Sequence, residues 1–304
     1  MLKNSLVVIS LLATSVSADL VEFVSDSGYV NWTTGKVYAT GYGIENTKYK
    51  KPIAIMRAKR AASIDARRNL LESIGGVKIN SQTIIKNGML DSDTIKTTVS
   101  GVVRNARITD VKSEDTMVKV TIEAPLNGSV LDALYPEIIQ NDLLSLMDRS
   151  FIFPNISMRF ASLDDESIAK IYKRLDRLDK AVFFQDKVDK KEVTGVIIDA
   201  RGTNFIPTLS PKIFKIRTAN PMYPDGVIDK DTLISSFSAL FVDSLDDAKE
   251  HPKVGDYPIV IKALRTYGTW RDKLILSTKE SERFSKLLNK DVLKNAKVVI
   301  VISR

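Results

Sequence analysis

Met56-Arg-Ala-Lys-Arg-Ala-Ala-Ser-Ile-Asp-Ala-Arg-Arg-Asn-Leu-Leu-Glu-Ser-Ile74 is a basic, alanine-rich run with apolar residues on two sides. Ala54, Ala58, Ala62 and Ala66 recur at intervals of four and lead to Leu70, which places them along one face of an α-helix. Small side chains on that face predict a helix lying close on a sheet. Ile53, Met56, Ile64, Leu71 and Ile74 form a second stripe, mostly on the opposite side, with Arg57, Arg60, Arg67 and Arg68 within or beside it. A helix apolar on both sides needs two surfaces to pack against. One is its own sheet; the other is either more of the same chain or a neighbouring subunit. Pro52 suits the first turn, where its missing N–H is harmless, and Gly75-Gly76 is a stop signal.

Working outward, Tyr29-Val-Asn-Trp-Thr-Thr-Gly-Lys-Val-Tyr-Ala-Thr-Gly-Tyr-Gly43 reads as strands at Tyr29–Thr33 and Lys36–Thr40, with Gly35 at the tight turn. Gly41 and Gly43 then read as loosening the chain. Residues 91–103 fit a short helix or a strand equally. Ala106–Lys112 and Met117–Ala124 predict a hairpin; Val118, Val120, Ile122 and Ala124 face one way, Lys119, Thr121 and Glu123 the other, and Pro125 ends the strand. Residues 29–126 therefore predict one long helix on a mostly antiparallel sheet.

Residues 127–190 read as a helical connector. Leu143, Leu144 and Met147 fall at near-helical spacing, and Asp164-Asp-Glu166 opens a helix whose stripe is Ile168, Ile171, Leu175 and Leu178. Residues 191–304 predict strands at Val193–Asp199, Lys212–Arg217, Tyr257–Ala263, Lys273–Leu276 and Lys297–Ile302, the last unbroken and apolar, with an amphipathic helix at Thr278–Leu288. The expected class is α+β: two small α/β sandwich domains, the second with a mixed sheet and helices, joined by the connector.

The first 18 residues have the form of a secretory signal: Lys3, an apolar run from Leu6 to Val16, and a small-residue site at Val16-Ser17-Ala18. Cleavage leaves about 286 residues, enough for two domains. It also removes Lys3, taking the formal charge from +8 to +7; that charge serves solubility or an anionic partner and, in an exported protein, not nucleic acid. The chain has no cysteine, so it must be held by ordinary hydrophobic cores and has no thiol for lipid attachment.

Little in the residues points to catalysis. One histidine, His251, and no cysteine leave a poor donor set for zinc or copper, and no Gly-x-Ser-x-Gly supplies a nucleophile. His251 beside Pro252 reads as a surface residue. Gly41-Tyr-Gly43 lacks the rest of a phosphate loop. Asp199-Ala-Arg201 reads as an ion pair or polar turn, and Asp164–Glu166 lacks the alternating ligands of a calcium loop. Asn31-Trp-Thr33, Asn127-Gly-Ser129 and Asn155-Ile-Ser157 match a minimal glycosylation motif, with no glycan expected. No catalytic residue, metal or cofactor is expected. The aromatic residues of the first strands, Tyr29, Trp32, Tyr38 and Tyr42, suit a core, an interface or a sugar-stacking face.

Three segments in order carry a resemblance: Val30-Asn-Trp-Thr-Thr-Gly-x-Val-x-Ala-Thr-Gly41, Arg57-Ala-x-Arg-Ala-Ala-x-x-Asp-Ala-x-Arg-Asn-Leu-Leu-Glu72, and Gly101-Val-Val-Arg-Asn-Ala106. Over about a third of its length the chain resembles the exported surface-lipoprotein family that includes the flagellar basal-disk protein FlgP and its companion FlgQ. Residues 191–304 look like the extra C-terminal region of longer members. The missing cysteine and the greater length make it more similar to the non-lipidated companion. The resemblance implies a structural periplasmic protein at the inner face of the outer membrane, part of a large oligomer around the flagellar motor and needed for motility. The implied partners are a lipidated disk subunit and other motor scaffold proteins. On that reading, Trp32, Tyr38, Arg57, Arg60, Ile64, Arg67, Arg68 and Leu71 are the interface candidates. The alternative is a periplasmic module that binds peptidoglycan or outer-membrane components outside any motor.

Overall fold

The computed structural model describes residues 19–80, 82–147, 192–216, 221–267, 271–288 and 290–303. The signal segment and the readings at Asn155, Asp164–Glu166 and Ile168–Leu178 lie outside the described residues.

The first sheet contains Val21–Ser25 (β1), Gly28–Asn31 (β2), Lys36–Ile44 (β3), Arg107–Glu114 (β4) and Met117–Pro125 (β5), in the order β1-β2-β3-β5-β4. All its pairings are antiparallel. The β2–β3 turn forms as the glycine predicts: Gly35 has φ 68°, and the Asn31 side-chain oxygen accepts from the Thr33 and Thr34 N–H groups at 3.1 and 3.0 Å. Helix α1 (Lys51–Gly75) lies across this sheet, with Ala54, Ala58, Ala62, Ala66 and Leu70 buried on it.

Gly41 and Gly43 do not loosen β3, which continues to Ile44. A β-carbon on Gly41 would come within 2.1 Å of the Ala66 nitrogen and 2.4 Å of the Ala62 carbonyl oxygen. The glycines and alanines are one device: hydrogen on the strand faces methyl on the helix, and backbone meets backbone. The helix stops where expected, but Gly76 holds right-handed φ −77°, ψ −11°. It is therefore not a left-handed cap; a side chain there would crowd the Val24 carbonyl oxygen, 3.1 Å away.

Ile85–Asp91 (α2) and Asp93–Arg104 (α3) fold over the C-terminal end of α1, so the ambiguous 91–103 segment is helical. The Ser92 side chain caps α3 by accepting from the Ile95 N–H. Ser129–Met147 (α4) starts the expected connector, yet Val130, Leu131, Leu134 and Ile138 are buried in the core beside α3.

The second sheet contains Gly195–Asp199 (β6), Lys212–Lys215 (β7), Pro221–Tyr223 (β8), Leu240–Val242 (β9), Pro258–Thr266 (β10), Lys273–Leu276 (β11) and Val298–Val301 (β12). Its order is β8-β7-β11-β10-β6-β12-β9. It is mixed: β6 runs parallel to β10 and β12, while β11 runs antiparallel to β10. Every residue of β6 and β12 is buried, which accounts for the unbroken apolar sequence of β12 and the Val196-Ile-Ile198 run of β6. Helices Lys230–Ser236 (α5), Leu245–Glu250 (α6), Thr278–Ser285 (α7) and Asp291–Lys294 (α8) complete it; α7 is shorter than the 278–288 helix expected.

The two sheets share one continuous core, with a smaller cluster of Ile197, Val242, Ala248, Val254, Val299 and Val301 on the far side of the second sheet. Backbone bonds cross between the halves: the Phe241 N–H donates to the Trp32 carbonyl at 3.2 Å and the Leu209 N–H to Lys78 at 3.0 Å.

Candidate functional site

The outward side of α1 changes character along its length. At its C-terminal end α2 and α3 cover it; there Ile74 is buried and Leu71 is half-buried against the core. Over the earlier turns nothing among the described residues covers it, and Ile53, Met56 and Ile64 are 42%, 65% and 62% exposed. Arg57 stacks over the Tyr49 ring, 4.0 Å from its centroid, and Arg67 Nη1 donates to the Ser63 carbonyl at 3.4 Å. No ion pair among the described residues engages Lys59, Arg60 or Arg68. The result is a basic face with apolar side chains set into it.

The eight candidate residues fall in three places. Arg57, Arg60, Ile64, Arg67 and Arg68 share the outward face of α1. Leu71 lies on the same side but is already packed against this chain. Trp32 is a correction: at 3% exposure it is buried between the halves, its ring edge-on to Phe241 at 5.7 Å. Its Nε1–H donates to Glu22 at 2.8 Å, and Glu22 also pairs with Lys78. The partner that buries Trp32 is the second half of its own chain.

Tyr38 belongs to a ladder on the sheet face away from α1. Cross-strand pairing sets Phe23, Tyr29, Tyr38, Glu123 and Arg107 side by side across the five strands. Tyr29 and Tyr38 stack at 5.0 Å and Phe23 meets Tyr29 edge-on at 5.8 Å. Glu123, buried between Tyr38 and Arg107 in this row, accepts from Lys36 at 3.1 Å and from Arg107 at 2.6 and 2.9 Å. Burial opposes ionisation of Glu123, but bonds from Tyr38, Lys36 and Arg107 outweigh it and hold the carboxyl below the usual range. Burial, then the bond to Glu123, pushes the Tyr38 hydroxyl up to about 12.

Elsewhere, Asp199 and Arg201 form the expected ion pair at 2.8 and 3.0 Å, and that bond lowers the Asp199 carboxyl. His251 is half-buried rather than a surface residue; burial lowers its pKa, and its Nδ1 accepts from the Lys253 N–H at 3.1 Å. Among the described residues no group of acids and histidines is arranged to hold a metal ion.

An open cleft of about 400 Å³ lies between the halves, lined by Leu20, Val21, Glu22 and Phe23 on one wall and by Phe205, Ile206, Pro207 and Ile302 on the other. Trp32 and Lys78 reach into it. The sequence carried no signal for it, because its walls come from stretches far apart in the chain, residues 20–23 against 205–207 and 302.

Two family models match the chain. Residues 30–124 are similar to the LPP20 lipoprotein family, and residues 195–304 to the second domain of Treponema pallidum Tp0624. Each match spans about a third of the chain; the first takes in the first sheet from within β2 onward, without β1, and the second starts with β6 and takes in the second sheet. No curated protein matches it. The first likeness points to an exported, membrane-associated setting, and no helix among the described residues is long and apolar enough to cross a membrane.

Proposed function

We propose that the chain is a non-enzymatic structural protein of the periplasmic flagellar basal disk, needed for motility, which packs against a lipidated disk subunit at the inner face of the outer membrane. The observation that carries this is the uncovered stripe of Ile53, Met56 and Ile64 on α1, ringed by arginines. Three exposed aliphatic side chains on a rigid helix supply the apolar centre of an interface. Arg57, Arg60 and Arg68 supply forked donors for the rim, the residue type enriched in such places. A stable contact buries about 1,200–2,000 Å² in total, so the stripe is the middle of a larger footprint. Likeness to a lipoprotein family over the segment that contains α1 supports the same assignment.

The test is the double variant Met56→Glu with Ile64→Glu, expressed in place of the native chain. It should be exported and folded, fail to join the disk, and leave cells non-motile, with motors lacking disk density in electron tomograms of intact cells. Normal swimming with an unchanged disk overturns the reading.

The peptidoglycan-binding alternative rests on the aromatic ladder. Tyr29 and Tyr38 cover one another's faces at 5.0 Å, which leaves Phe23, 76% exposed, as the open ring of the three. One such ring is a weaker sugar platform than the helix stripe is a protein contact.

A further inference from the structure

The cleft between the halves runs along a strand edge that has no partner among the described residues. β1 is the outermost strand of its sheet and pairs only with β2 among the described residues. The Trp32 N–H donates to the Leu20 carbonyl at 2.8 Å, and the register pairs Glu22 with Val30. In an antiparallel ladder, bonded and non-bonded pairs alternate. Leu20 and Glu22 therefore turn their peptide groups toward β2, while Val21 and Phe23 turn theirs away, toward the cleft. Four consecutive residues, Leu20 to Phe23, line the cleft, so residues from both faces of the strand border it.

We propose that this cleft takes an extended peptide segment of another protein, which adds to the sheet as a sixth strand beside β1. The wall opposite the edge is mostly apolar, Phe205, Ile206, Pro207 and Ile302 with Ser303 beside them, so every second side chain of the incoming strand is apolar. Glu22 does not call for a cation, because Trp32 and Lys78 already bond it. An acyl chain would fill the same grease but leave the peptide groups of Val21 and Phe23 without partners. Only a polypeptide brings donors and acceptors at strand spacing. The volume, about 400 Å³, lies at the lower end of the range for ligand sites, and a boundary between domains is where such sites concentrate.

The probe is acetyl-Val-Thr-Val-Thr-Val-amide, titrated into a Trp270→Phe chain so that fluorescence reports Trp32 alone. A saturable response below about 1 mM is expected. Two N-methylated versions, one at the odd and one at the even positions, should differ from one another at least tenfold, since only one set of N–H groups faces β1. Val21→Pro removes a donor that points away from β2, so the sheet keeps its ladder while peptide affinity falls at least tenfold. Equal binding by both methylated peptides, no saturable response, or a Val21→Pro chain that binds as tightly as the parent overturns the proposal. The methylated pair is read on the unmutated edge and stands even if the proline variant misfolds. None of these readouts depends on the disk.

Discussion

A β-carbon built on Gly43 falls 2.0 Å from the carbonyl oxygen of Ala58. No rotamer relieves that overlap, because the obstacle is backbone. Gly43→Ala must lift α1 off the sheet, and Gly41→Ala must do the same one register step away, against Ala62 and Ala66. Each should lower stability by about 3 kcal/mol, the upper end of the usual overpacking range. Urea unfolding checks this. By contrast Gly101→Ala, where nothing lies within 4 Å of the added carbon on a helix, should be neutral or stabilising by up to about 1 kcal/mol.

That pairing also marks how far the sequence could be read. The alanine period announced a helix in close contact with a sheet, and alternation placed Val118, Val120 and Ile122 on the buried face. The role of Gly41 and Gly43 stayed hidden, because glycine in one sequence looks alike whether it frees a loop or admits a helix. Trp32 was misassigned for a related reason. Its aromatic partner, Phe241, sits in a three-residue strand too short to announce itself. The outward arginines of α1 needed only helical geometry, and they fall where the spacing put them.

The Glu123 cluster makes stability depend on pH at both extremes. The carboxyl is held below its ordinary 4.5 in the folded chain, so its contribution is complete above that value and is lost as pH falls through the folded one. Tyr38 works the other way. Its hydroxyl is raised from 10.0 to about 12, so its contribution is complete below pH 10 and lost as pH climbs toward 12. Glu123→Gln should flatten the acid limb of a plot of Tm against pH, and Tyr38→Phe the alkaline limb. At neutral pH Glu123→Gln should cost roughly 1–3 kcal/mol, since Lys36 and Arg107 are free to turn to water.

Lys253 predicts a rise in place of a fall. Its Nζ donates to the Ser236 carbonyl and, at 3.4 Å, to that of Phe237, at the end of α5. Burial lowers it from 10.5 to about 8. Below pH 8 the penalty for burying the charge is fully present. Between pH 8 and 10.5 the unfolded chain holds the proton that the folded chain has released, so this group makes stability increase with pH. Lys253→Met should remove that increase in denaturation curves taken at intervals across the window.

Ile64 and Leu71 separate folding from assembly on one helix face. Ile64 is 62% exposed, and Ile64→Glu should change stability by no more than about 0.5 kcal/mol. Leu71 is half-buried against the core beneath α2 and α3, so Leu71→Glu should cost about 2–4 kcal/mol. Circular dichroism melts of both variants decide the matter. Equal losses would mean that the outward stripe is already covered within the chain.

Trp32 couples the halves, and two substitutions resolve how. Trp32→Ala removes the ring from between β2 and Phe241 and leaves Glu22 with Lys78 alone, which should cost about 3–5 kcal/mol. Because the shared core is breached at the seam, the single unfolding transition should split in two, with calorimetric and van't Hoff enthalpies no longer equal. Trp32→Phe keeps an aromatic edge toward Phe241 but loses the Nε1–H bond, and should cost only about 1–2 kcal/mol with the single transition intact. If Trp32→Ala still melts as one unit, the coupling resides in the backbone bonds from Phe241 to Trp32 and from Leu209 to Lys78, and the indole only fills space between them.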